Sequence, residues 1–555
     1  MMSSQSNNSA ASPSMEPPSK KRPADDDTVT PPPKRAPSGT QPSNSNNIVA
    51  PSRERSASGS QPLSSEIPKR LWTIFVEKHA PVLPILDLDQ LTAAFALAAS
   101  HGKVGPTVID PTFGLCIAIA CHLTPDEDLW GGGNWYKAAL SNMADPFKSR
   151  PSIQSFHHGI LQVQYLHMVG HLREAWDVLS LAIGRAHSLR MPTMHGGSLA
   201  VDENSLEQVR LVWQCLWMKK LSLTLQYGVV HQSLDTFYEL PMPMQHHIHG
   251  NMGVSGAESN GHCHAISSFF VACASLFKYT DDLITVENDL RVIRMECPIK
   301  WLSSVDLHGF QQLNEKLSSW KIGLPKCLEW KGPGSDFTMK HPLIRRMCIL
   351  AHLRYVYFRL RQYRPFFILT LRLSQACACE VSPHITGNDV DLIDASPFLG
   401  LVYYSAVKCL TAAQDMVNTL SASIGEAPDE HAKCEHLEYL YAAGLILIAA
   451  RTVPFVLNGA QRGNFDAINA AQSVKTMTEQ LNNIDHLLQH HKQSSQQAPE
   501  LERTIERLHG VLRQLRLQSD GIATDNNIML EQVVWCRIYD RLGLEVPFKR
   551  PPNKV

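Results

Sequence analysis

The sequence predicts an all-α fold behind a disordered N-terminal tail, on three observations. From Pro68 onward, apolar residues recur at three- and four-residue spacing over long segments, the period of amphipathic helices. Strand-like alternation and Asn-Gly or Asp-Gly hairpin signals are rare. Residues 1–65, by contrast, are mostly Ser, Pro, Asn and Gln with almost no large apolar side chains. Such a segment cannot bury enough surface to offset its ordering entropy, so disorder is expected there.

The chain has 555 residues, 44% hydrophobic and 19% charged, a globular balance with ample material for a core. A net charge of -1 advertises neither nucleic-acid nor membrane binding. Thirteen cysteines are scattered through apolar segments, as at Cys116, Cys121, Cys215, Cys273, Cys348 and Cys409. Their odd number and irregular spacing predict reduced, mostly buried thiols of an intracellular protein. The start MMSSQSNNSAASPS has no apolar core of a secretory signal. No run reaches the ~18 apolar residues of a membrane span. The nearest, from Tyr439 to Leu457, is interrupted by Arg451 and Pro454.

Taken in order, the tail carries two basic clusters, Lys20-Lys21-Arg22 and Lys34-Arg35, separated by the eleven residues PADDDTVTPPP. This is the spacing of a bipartite nuclear-import signal: a flexible backbone offers two cationic patches to acidic grooves of one receptor. A generic charged tail is the alternative. KRLWTIFVEKHAPVLPIL then reads as a helix ended by Pro81 and Pro84. Gly131-Gly132-Gly133 reads as a loop, since no buried strand precedes it and no Lys-Ser/Thr pair follows. Met242 to His264 and residues 329–341 read as further loops. Near the C-terminus, Val474, Met477, Leu481, Ile484 and Leu488 have heptad-like spacing, as do Leu501, Ile505, Leu508, Leu512 and Leu515. The QSSQQAP linker between them predicts an antiparallel helix hairpin that packs within the domain rather than as a free zipper.

Four stretches carry a resemblance. They are LWTIFVEKHAPVLPIL; WYKAAL with PSIQSFHHGILQVQYLHMVGHLREAWDVLSLAIGRAHSLRM; EQVRLVWQCLWMKKLSLTLQYG, closing at LPMP; and LAHLRYVYFRLRQYRPFFI followed by AVKCLTAAQDMVNTL. In order and spacing they resemble the middle homology, or regulatory, domain of fungal zinc-cluster transcription factors, over roughly residues 65 to 460. The residues that carry the motifs are Trp176, Ala182, Glu207, Arg210, Trp213, Ser222, Arg364 and Pro365, the last pair matching an Arg-Pro-Phe helix end. The resemblance implies a large multi-helix regulatory domain over 66–460. Residues 461–555 then supply the hairpin and a final helix packed on it. It also implies nuclear location and work with transcription co-regulators, as homo- or heterodimer, away from membranes. Trp176 and Trp213 are expected in the core.

Three departures qualify the likeness. The third stretch usually carries an Asp-Arg pair and a Gly-Arg-Pro end, where this chain has Met218-Lys219-Lys220 and Tyr227-Gly228-Val229-Val230. The Ala-Ile helix usually ends Leu-Gly-Leu-His, but here it reads Leu189-Arg190-Met191-Pro192. The zinc cluster is missing, for its six thiolates must fall within about 40 residues, and the first cysteine is Cys116. DNA is therefore expected to be reached through a partner, or through a cluster that this chain lacks. Zinc is expected only with such a cluster, and no other cofactor is expected.

Other constellations take a plain reading. His167 and His171 stand four apart on an expected helix, a metal-ligand spacing, but lack the Glu beside the first His. His246, His247, His249, His262, Cys263 and His264 crowd an expected loop and are read as incidental. Cys377 and Cys379 are too close to chelate a tetrahedral metal and are read as helix residues. Arg354, Arg359, Arg361 and Arg364 alternate with aromatics; they could stack on nucleic acid, but are read as snorkelling to water over an aromatic face. No Gly-x-Ser-x-Gly elbow occurs and no nucleophile–base set is legible, so the chain is expected not to be an enzyme. The reading is a nuclear transcription regulator. A helical interaction scaffold without a role in transcription is the alternative, and an all-α enzyme the more distant one.

Overall fold

A computed structural model describes residues 66–105, 108–123, 131–143, 151–193, 197–200, 202–227, 241–244, 259–290, 307–332, 341–378, 399–426, 433–452, 467–493 and 498–525. The tail of residues 1–65, with its two basic clusters, lies outside them. Every regular element among the described residues is helical, as the periodicity predicts.

The first helix, α1 (Glu66–Ile74), runs into a π-turn over Phe75–His79 and a 3-10 turn over Ala80–Val82. Pro81 has no N–H to donate, so the helical ladder ends where the sequence placed its stop. Around it, Trp72 stacks on Phe95 at 5.0 Å and meets Phe113 edge-on at 5.4 Å. Phe95 belongs to α2 (Leu88–Ser100), started by the Asp87 carboxylate, which accepts from Gln90 N–H at 3.0 Å.

Central to this half is α3 (Pro111–Cys121), in which Thr112 to Cys121 are all buried. A helix apolar all round must be enclosed, and α1, α4 (Gly132–Asn142) and α5 (Ile153–Met168) enclose it. The glycines at 131–133 are not a free loop. Gly131, at φ +84°, starts α4, and a Cβ on Gly132 would sit 2.7 Å from His122 Nε2 and 2.8 Å from the Ala118 carbonyl. The run of glycines exists because the start of α4 presses on the end of α3.

The Ser152–Ser155 capping box begins α5, and Gly170, at φ +85°, turns the chain into α6 (Leu172–Ser188). Then come α7 (Glu203–Tyr227), α8 (Ser259–Phe277), α9 (Thr280–Asp289) and α10 (His308–Ile322). The loop expected over Met242–His264 is thus helical from Ser259, although most of that segment lies outside the described residues.

The long α11 (Pro342–Ala378) has 37 residues, about 55 Å of helix. It does not end at Arg364-Pro365 as expected but runs through Pro365. Proline costs a helix one hydrogen bond, not its course, when neighbours hold it on both sides. Here α12 (Leu399–Glu426) packs along α11, with α8, α9 and α10 on its other faces.

α13 (Lys433–Thr452) leads to the hairpin of α14 (Ala467–Gln493) and α15 (Pro499–Asp525). Met477, Leu481, Ile484 and Leu488 are buried, Val474 half-buried, and Leu501, Ile505, Leu508, Leu512 and Leu515 buried, so the two heptad-like stripes face inward. They pack on α13, where Gly444 admits them: a Cβ there would lie 3.0 Å from Leu512 Cδ2. Leu501 also lies against Gly170, 3.0 Å from where its Cβ would stand. The hairpin therefore braces the α5–α6 turn, and the described residues all fall in one compact unit.

One departure from the family pattern has a visible backbone consequence. Arg190, exposed where the resemblance has glycine, is left-handed at φ +57°. Side chains resist that conformation by about 1–2 kcal/mol, and glycine does not. Arg190→Gly should stabilise the protein by about 1 kcal/mol, a rise of roughly 2 °C in thermal midpoint by calorimetry. A lower midpoint would mean that the arginine side chain stabilises the turn.

Candidate functional site

The arginines of α11 turn to acceptors on neighbouring helices instead of snorkelling to water as expected, although Arg364 keeps 22% of its side chain exposed. Arg354 forks onto Glu435 of α13, Nε to Oε2 at 3.1 Å and Nη2 to Oε1 at 3.0 Å, while Nη1 points to Cys273 Sγ at 3.2 Å. Arg361 forks onto Glu287 of α9 at 3.0 and 2.5 Å and also donates to the Leu225 carbonyl at 3.2 Å. Arg364 joins the same Glu287 at 2.7 Å. Arg359 lies between the rings of Tyr355 and Tyr363 and donates to Asn314 Oδ1 and Ser318 Oγ, each at 2.7 Å. The Tyr357 hydroxyl donates to Glu438. Planar forks suit carboxylates in a dry interior, where an unmatched charge costs several kcal/mol.

Beside Arg354 lies a cavity of about 50 Å³. Its polar lining is His79, Gln164, His167, Lys219, Ser222, Arg354 and Glu435, with Val82, Leu83, Met218, Phe277 and Leu350 as apolar wall. Each polar residue is delivered by a recognisable local device. The π-turn after α1 brings His79 inward, its ring 5.4 Å from that of Phe75. Gln164 and His167 are polar interruptions on the buried face of α5. Lys219 and Ser222 come from α7, where Lys219 Nζ donates to Gln164 Oε1. Gln226 Oε1, a turn further on, is 2.8 Å from His167 Nε2 and fixes that ring.

The electrostatics follow from enclosure. Burial lowers the Lys219 ammonium to about 8, with Glu435 pulling the other way. Burial and then the charge of Lys219 bring His79 to about 3 and His167 to about 4, so both imidazoles are neutral near pH 7. Burial alone would raise Glu435, but the Arg354 guanidinium holds it down at about 2. One turn on, burial outweighs Tyr357 and the arginines and pushes Glu438 up to about 7.

The residues singled out by motif fall partly around this centre. Ser222 lines the cavity and Arg364 belongs to the Glu287 cluster. Half-buried Pro365 follows it on α11. Arg210 pairs with buried Glu207, whose second oxygen accepts from Met244 N–H at 2.7 Å and so ties the LPMP return to α7. Trp213 is 1% exposed, stacked on Trp217 at 6.1 Å and edge-on to His187 at 5.4 Å, a core position as expected. Trp176 is only half-buried at the margin of the core. Ala182 is buried where α5 and α6 approach, 3.5 Å from a Cβ on Gly159.

His167 and His171 do not share a helix, because α5 ends at Met168. His167 is buried against Gln226, while His171 precedes α6 and pairs with Glu174 at 3.1 Å. Among the described residues no three His, Cys, Asp or Glu side chains group to hold a metal ion. His262, Cys263 and His264 lie in the first turns of α8, Cys377 lies in α11, and His246, His247, His249 and Cys379 are outside the described residues. Lys20, Lys21, Arg22, Lys34 and Arg35 also lie outside them. Reading by motif passed over His79, Gln164 and Glu435. Their only signal was a polar side chain on an otherwise apolar helix face.

Two stability predictions follow from the pairs. Glu435→Gln leaves Arg354 without its carboxylate and should cost about 3–5 kcal/mol in denaturant unfolding. Glu438 has a folded pKa above its unfolded value, so its contribution is full below about 4.5 and is lost as pH rises through about 7. Glu438→Gln should flatten the thermal midpoint across that window; an unchanged pH profile would assign the dependence to other groups.

No protein-family model matches the chain, and no curated protein or solved structure matches it either, so the site stands on its own geometry.

Proposed function

We propose that this chain is a nuclear transcription regulator of the fungal zinc-cluster type, and that its helical regulatory domain receives a signal at its centre. The observation that carries the reading is convergence. Each of the four motif stretches contributes to the one cavity: His79 from the first, His167 from the second, Lys219 and Ser222 from the third, Arg354 from the fourth. A scaffold that works through its surface has no need of charged groups inside, where each costs several kcal/mol to desolvate. Perturbed titratable groups gathered in a cavity are what functional sites look like.

On this reading DNA is reached through a partner or through a zinc cluster outside this chain, and co-regulators are recruited by the helical surface. The more distant reading, an all-α enzyme, draws on the two neutral histidines that line the cavity with Lys219. It is the weaker one, because His167 is engaged by the Gln226 amide, which cannot relay a proton as a carboxylate would.

The test uses the full chain in a fungal host. A fluorescent fusion should concentrate in nuclei and lose that concentration when Lys20, Lys21, Arg22, Lys34 and Arg35 are all alanine. Tethered to a heterologous DNA-binding module, the chain should change expression of a reporter. Exclusion from nuclei together with an inert reporter would favour the scaffold.

A further inference from the structure

We propose that the central cavity binds the carboxylate group of a small organic acid, with the Lys219 ammonium as its counter-ion. This deepens, and rests on, the reading of the domain as a receiver of a signal.

The charges on the wall do not balance. Arg354 and Glu435 satisfy each other through two parallel hydrogen bonds. Lys219 is the second cation at the cavity. Its hydrogen bond goes to a neutral amide, Gln164 Oε1, and among the described residues no carboxylate lies within ion-pair distance of its Nζ. An ammonium has three N–H donors, so after Gln164 two remain to face the cavity. His79 and His167 add no charge near neutral pH. One bound anion would therefore complete the site, much as Glu435 completes Arg354.

Size and surroundings narrow the class. A space of about 50 Å³ accommodates roughly three or four water-sized groups. That fits a carboxylate with a short carbon chain. A phosphate dianion is bulkier and brings more charge than one unmatched lysine offsets. A metal cation would be repelled by Lys219 and Arg354. Hydroxyl and amide donors at Ser222 and Gln164 can share the carboxylate oxygens, and Met218, Leu350 and Phe277 offer apolar wall to a short alkyl tail. The lysine stands in the Met218-Lys219-Lys220 segment, where the chain departs from the family pattern, so the charge excess is a property of this sequence.

The test is titration of the purified full chain with acetate and propionate by calorimetry and thermal shift. Acetamide serves as the neutral isostere, and sodium chloride holds ionic strength constant. We expect saturable binding of the carboxylates, at about millimolar strength for ligands this small, with a matching rise in thermal midpoint. Acetamide and chloride should produce neither. Lys219→Met should weaken carboxylate binding about tenfold or more, the loss of one charge-assisted hydrogen bond. It should keep the helical circular dichroism, since an apolar chain of similar length removes an unmatched buried charge. If that variant fails to fold, the contrast of acetate with acetamide on the unaltered chain decides. Equal effects of acetamide, or full binding by folded Lys219→Met, would overturn the site. Loss of the site leaves the reporter assay untouched, whereas an inert reporter with carboxylate binding intact would overturn only the regulatory reading.

Discussion

The forked ion pair between Arg354 and Glu435 joins α11 to α13 through the middle of the helical unit, and much of the surrounding arrangement follows from having to provide it. A guanidinium enclosed among α7, α8 and α13 is stable only with a carboxylate at hydrogen-bond distance. The same constraint recurs about one to three turns along α11, where Tyr357 meets Glu438 and Glu287 receives Arg361 and Arg364. α11 is thus held in register by charge as well as by apolar packing. Apolar contacts tolerate a small slide between helices; a two-point fork does not.

That register positions the cavity. With Arg354 committed to Glu435, the remaining cation, Lys219, determines the character of the space between α1, α5, α7 and α11. Its neighbours respond to it: His79 and His167 are held neutral by burial and by the lysine's charge together. Lys219 is braced by Gln164 and His167 by Gln226, so the polar side chains of this space are fixed by helix packing. A signal received there would be felt by the four helical segments that meet at it. It would also be felt by the C-terminal hairpin, which touches the α5–α6 turn through Leu501 and Gly170.

Close approaches of backbone set the packing around this centre. Gly132 lets α4 touch the end of α3, and Gly444 lets the hairpin seat on α13. Each is a place where an added methyl group meets an atom within 3.0 Å, so the fit is decided by shape and not by hydrophobicity alone.

The sequence by itself determined the helical class, the start and proline stop of α1, the two inward stripes of the hairpin and the core position of Trp213. These depend on local rules: period, capping, proline chemistry and the burial of large apolar faces. The passage of α11 through Pro365 could be decided only by tertiary structure, because a proline's cost is offset by neighbours that sequence spacing does not reveal. The same holds for the arginines of α11. Alternation with aromatics fits both a wet face and a buried one, and only the carboxylates brought from α9 and α13, 74 and 81 residues away in sequence, distinguish them. Lys219 was legible as a departure from a pattern. That it lies beside His167, with Gln164 and not a carboxylate against its ammonium, is a fact of three dimensions, since the partner of a buried charge is set by which helices cross and not by which residues are adjacent.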